Sequence, residues 1–138
     1  MATSPLQVVT LTQNEEDLAI ECGKQFKLLE FKQTDAGYRS CTEPVKLNSA
    51  AAKFVKEFAP SKFGSKGLRV QALQFDKAAK LSVPRPMLFV PTIITSGNPT
   101  ISGQALVVGT YVRLTTDVSV DSGVHGLILL ADQLQGGK

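Results

Sequence analysis

Seven side chains stand where strand alternation turns them to one polar side of a sheet: Arg69, Gln71, Lys80, Ser82, Tyr111, Arg113 and Thr115. Arginine and lysine neutralise phosphates. Gln, Ser and Thr hydrogen-bond to sugars and base edges, and a tyrosine beside an arginine can stack a splayed base. In this combination the chemistry is that of single-stranded RNA binding. Three cations on the expected face meet one acid, Asp117.

The charge along the chain points the same way. Net charge is +3 over 138 residues, but residues 46–85 hold nine lysines and arginines against two acids. Residues 114–138 hold three aspartates against one lysine. A basic middle and an acidic end suit a polyanion met by one face of the fold.

Catalysis finds little support. His125 is the sole histidine, set between Val124 and Gly126, and the chain has no G-x-S-x-G, H-E-x-x-H or P-loop pattern. Cys22 and Cys41 lack the further Cys or His ligands that a zinc site needs. No catalytic residue, metal, cofactor or small-molecule substrate is therefore expected, and the chain reads as a non-enzyme. A single domain over residues 1–138 can bury a core without staples, so the two cysteines read as reduced thiols, with a bond between subunits left open. The longest apolar runs, such as residues 127–131, are too short for a bilayer span, and no basic-then-apolar leader opens the chain. A soluble protein away from membranes is the expectation.

These residues need elements to position them. Residues 6–12, rich in Val and Thr after Ser4-Pro5, predict a strand. Residues 18–32 alternate Ile20, Cys22, Phe26 and Leu28 against Glu21, Gln25 and Lys27, which predicts a second strand with a bulge near Leu29. A turn at 34–37 leads to a strand over 38–42, which Pro44 ends. Asn48 or Ser49 then caps a helix through Phe58 that Pro60 stops. Alternation returns over 68–74 and 80–83, joined by a turn at Asp76-Lys77. Residues 87–90, bracketed by prolines, read as extended but poor at central ladder pairing.

After a Gly/Pro/Ser/Thr loop at 95–103, residues 105–120 give the strongest strand, with Leu106, Val108, Val112, Leu114, Val118 and Val120 on one side. Val124, Leu127, Ile128, Ala131 and Leu134 recur at helical spacing and predict a C-terminal helix. The fold class is then α+β: an antiparallel meander with one short C-terminal helix. So little helix leaves the apolar side of 105–120 uncovered, at roughly 1.5 to 3 kcal/mol per large side chain. A two-fold dimer, each helix lying across the partner's sheet, would cover it.

This order of elements resembles the coat proteins of single-stranded RNA bacteriophages of the levivirus type. The likeness rests on an N-terminal hairpin over 6–32, the basic strand GLRVQALQ at 67–74, the loop at 95–103, and the passage TYVRLTTDVSVDS at 110–122 into a helix over 123–134. It implies interlocked dimers, a shell whose inner sheet surface binds genomic RNA, and a place in a virion assembled in the host cytoplasm. Two other readings stay open: a protein-only virion or tail component, and a small OB-like module for single-stranded nucleic acid. The latter usually needs several aromatics on adjacent strands, whereas the phenylalanines here are scattered.

Overall fold

The computed structural model describes residues 8–62, 68–83 and 86–131. Short strand β1 (Val8–Thr10) leads into helix α1 (Gln13–Phe26), then β2 (Phe31–Gln33), β3 (Arg39–Cys41) and helix α2 (Pro44–Lys62). Eight strands follow: β4 (Leu68–Phe75), β5 (Ala79–Leu81), β6 (Met87–Ile94), β7 (Thr100–Ile101), β8 (Gln104–Ala105), β9 (Thr110–Leu114), β10 (Val118–Val120) and β11 (Val124–Ala131). They build a seven-stranded sheet, β1-β9-β6-β11-β4-β3-β2, and a four-stranded sheet, β5-β10-β7-β8. The strand pairings are antiparallel, and with two helices the class is α+β.

From β4 onward the chain alternates between the two sheets in a fixed pattern. The first, third, sixth and eighth of these strands pair as β9-β6-β11-β4, and the other four make the second sheet. That interleaving is a double-sheet jelly roll. Strand β1 extends it beyond β9, and β2 and β3 extend it beyond β4.

Three layers result, with two cores. Between the sheets lie Leu73, Phe75, Leu81, Met87, Phe89, Ile101, Leu106, Val112, Leu114, Val118, Val120, Val124 and Ile128, all buried. On the other side of the large sheet, Ala19, Cys22 and Phe26 of α1 and Leu47, Ala51, Phe54 and Phe58 of α2 pack on Ala72, Leu88, Val90, Leu127 and Leu129.

Several expected elements differ, each for a physical reason. Much of the segment expected as a strand over 18–32 lies in α1. Thr12 caps the helix, its hydroxyl accepting from the Glu15 N–H at 3.1 Å while the Glu15 carboxylate accepts from the Thr12 N–H at 3.0 Å. This reciprocal box fixes the first turn, and Ala19, Cys22 and Phe26 then recur at helical spacing. Pro44 opens α2 rather than ending a meander. The Leu47 N–H bonds to the Glu43 carbonyl at 2.9 Å, which leaves Pro44 at the first helical position, where a missing N–H costs nothing. The helix runs to Lys62, with Pro60 in its last turn.

The long strand expected over 105–120 is divided between sheets: β8 and β10 belong to the smaller one and β9 to the larger. The alternation persists across the corner because Val112 and Leu114 from one sheet, and Val118 and Val120 from the other, point into the same interior. The apolar side that was expected to require a second chain is therefore covered within this one.

Likewise the expected C-terminal helix is strand β11 over Val124–Ala131, with Leu134 outside the described residues. Paired with β4 on one side and β6 on the other, it is buried on both faces, so its apolar run carries no strand-like alternation. Strand β6 is central despite Pro91. Its pairing with β9 covers only Met87 to Phe89, and its register with β11 shifts between His125 and Gly126, opposite Pro91 and Ile93. The proline sits where the ladder is already irregular. The element order that carried the likeness to levivirus coats is thus not the order of the folded chain.

Candidate functional site

The seven residues expected on one polar face lie on separate surfaces. Arg69 and Gln71 are on the side of β4 that faces the sandwich, in phase with Leu73 and Phe75. Gln71 donates to the Ser40 hydroxyl and, at 3.2 Å, to the Cys41 carbonyl, so its amide ties β4 to β3. Lys80 and Ser82 are exposed on the outer side of the small sheet, opposite in phase to Leu81 and Val83. Tyr111 and Arg113 belong to the helix side of β9, and Thr115 to the exposed turn that follows. Tyr111 meets the ring of Phe58 edge-on, with centroids 5.1 Å apart at 86°. The structure brings Tyr111 and Arg113 onto one surface, and it does not bring Arg69, Lys80 and Arg113 together.

A different group converges. The registers of four adjacent strands align Gln33 of β2 with Arg39 of β3, Arg39 with Gln74 of β4, and Gln74 with His125 of β11. All four share the helix side of the large sheet, because Phe31, Cys41, Ala72 and Leu127, two positions along each strand, pack against the helices. The row nearer the helices is apolar and covered. The next row is polar and lies at the margin of that cover, with Gln33 and Arg39 exposed and Gln74 and His125 half-buried.

Asp76, just past β4, joins this row. Its carboxylate oxygens stand 3.4 Å from Arg39 Nε and 3.9 Å from His125 Nε2. The second distance exceeds a hydrogen bond, so that pairing is electrostatic. The Arg39 and Asp76 side chains are both about half exposed, and the His125 side chain is 20% exposed. Burial holds the imidazole below its ordinary pKa; Asp76 pulls it up, and the charge of Lys27, the cap residue of α1, pushes it down. Lys27 and Arg39 outnumber Asp76, so the row carries excess positive charge with a protonatable imidazole in it.

This arrangement can recognise an oxyanion: each of its four side chains can present N–H donors, one of them a guanidinium fork. A metal is poorly served. Among the described residues, no three His, Cys, Asp or Glu side chains gather as ligands. Nor is there, among them, a buried side-chain polar atom left without a partner. The signal for this row was available in the sequence. Gln74 stands in phase with Val70 and Ala72, on the side otherwise apolar, and a polar residue in an apolar phase marks where cover ends.

No protein-family model matches the chain, and no curated protein matches it. Among solved structures it is similar to quercetin 2,3-dioxygenase from Acinetobacter baumannii, with a TM-score of 0.45 and 13% identity. The match covers 78% of this chain and 35% of that one, so the chain spans about a third of that protein's length.

Proposed function

We propose that this chain is a non-catalytic coat-type structural subunit that self-associates into a shell and binds single-stranded RNA. One observation carries the reading: the jelly roll is filled, sheet against sheet, by aromatic and aliphatic side chains. The buried polar side chains among the described residues are Glu15 and Thr92. Glu15 lies in α1, and Thr92 approaches Gly23 of that helix. Recognition therefore belongs to the outside of the molecule. Jelly rolls serve capsids, lectins and cupins alike, so the fold does not choose among them. The excess of basic residues over 46–85 favours a polyanion.

Self-association has support at one edge. Strand β2 ends the seven-stranded sheet, and Leu28 before it and Val45 after β3 are each 81% exposed. An open edge flanked by two aliphatic side chains suits pairing with a second copy. The test is a titration of labelled single-stranded RNA at about 50 mM and about 200 mM salt, where several phosphate contacts should weaken binding steeply. Binding that is absent at low salt would remove RNA from the reading and leave a protein-only shell.

A further inference from the structure

We propose that the transverse row Gln33, Arg39, Gln74 and His125, with Lys27 at its margin, is a phosphate-binding site for the RNA backbone. The inference rests on the RNA reading above and gives it a location. Neighbouring strands stand about 4.8 Å apart, so a row across four strands spans roughly 14 Å, wider than one phosphate. Along it lie a guanidinium, two carboxamides and an imidazole, presented by strands whose register holds them in line. Asp76 is the row's internal counter-ion. Its contacts are long and half exposed, as for surface ion pairs that contribute little to stability, so an incoming phosphate competes with it at small cost. The C-terminal end of α1 disfavours an anion through its dipole, and Lys24 and Lys27 offset that field.

The chain holds one histidine, so its imidazole Cε1–H gives one proton resonance that reports directly on the row. The intact protein is titrated at one fixed pH with inorganic phosphate and with a short oligouridylate. Chloride at matched ionic strength is the control. The site predicts a saturable shift of this resonance with both ligands and none with chloride. Arg39→Gln should weaken both responses by about tenfold, the loss of one charge-assisted bond, and Asp76→Asn should strengthen them. Both positions are exposed, and unchanged melting curves show that the variants fold. A shift with phosphate alone upholds a phosphate site and overturns its assignment to RNA. RNA binding seen by fluorescence anisotropy with a silent His125 resonance upholds the RNA reading and overturns this site. Responses unchanged in Arg39→Gln, or no saturable shift with either ligand, also overturn it.

Discussion

The ring of Phe89 fills the space that a side chain at Gly126 would need. A Cβ added there would collide with Phe89 Cε1 and Cζ, in the middle of the sandwich and beside the register shift of β11. Glycine at this position is set by packing, since the neighbouring ring is fully buried and has nowhere to move. Gly126→Ala should cost about 1 to 3 kcal/mol by overpacking, with Tm lowered by roughly 3 °C or more in calorimetry. An unchanged Tm would mean that Phe89 can swing aside.

Tyr111 is a packing residue on the helix side of β9. Its ring meets Phe58, which is itself fully buried against Phe54. Tyr111→Ala should therefore cost about 2 kcal/mol of stability in denaturant unfolding and leave RNA affinity within about twofold. Tyr111→Phe should retain most of that stability. Lost RNA affinity with unchanged stability would return Tyr111 to a base-stacking role.

The first turn of α1 depends on the Thr12 and Glu15 box, and Glu15 is only 4% exposed. Thr12→Ala should destabilise the protein by about 1 kcal/mol, whereas Thr12→Ser should be close to neutral. Urea unfolding distinguishes the two.

His125 predicts a pH dependence of stability. Its folded pKa lies below the unfolded value of about 6.5, so the unfolded chain binds the proton more readily. Stability is full above that value and falls as pH drops through the depressed folded one. Burial of the ring is the main cause; Asp76 moderates the fall, while Lys27 adds to it. Comparing unfolding midpoints near pH 7.5 and 5.5, in phosphate-free buffer, should show a smaller loss in His125→Gln than in the parent.

Cys22 and Cys41 are both free and buried, and burial pushes the Cys22 thiol up to about 11. At pH ~8 a thiolate-selective reagent should modify Cys22 only slowly in the native protein and fully once denatured. Rapid native labelling of Cys22 would show that the packing of α1 on α2 opens readily.

What was legible in the sequence was alternation, and it was legible where alternation meets one core. Strands β3, β4 and β5 stand where a period of two places them. The same signal misled at residues 105–120, because two strands from facing sheets share one interior and the phase runs through the corner between them. Residues 124–131 misled for the opposite reason. Buried on both faces, they show a continuous apolar run in which Val124, Leu127, Ile128 and Ala131 also fit a helix. For α1 the decisive signal was local, Thr12 followed three residues later by Glu15, and it outweighs a partial alternation. The polar row was legible only at Gln74, which breaks an apolar phase; Gln33, Arg39 and His125 become its neighbours through registers that no single segment specifies.

The central claim, a shell subunit that carries RNA, meets its most direct test in size-exclusion chromatography of the purified full chain with absorbance read at 260 and 280 nm. A shell subunit that carries RNA should elute as a large particle with a nucleic-acid-rich ratio that survives nuclease treatment. Elution as a monomer with a protein-only ratio, over the same concentrations, would contradict it.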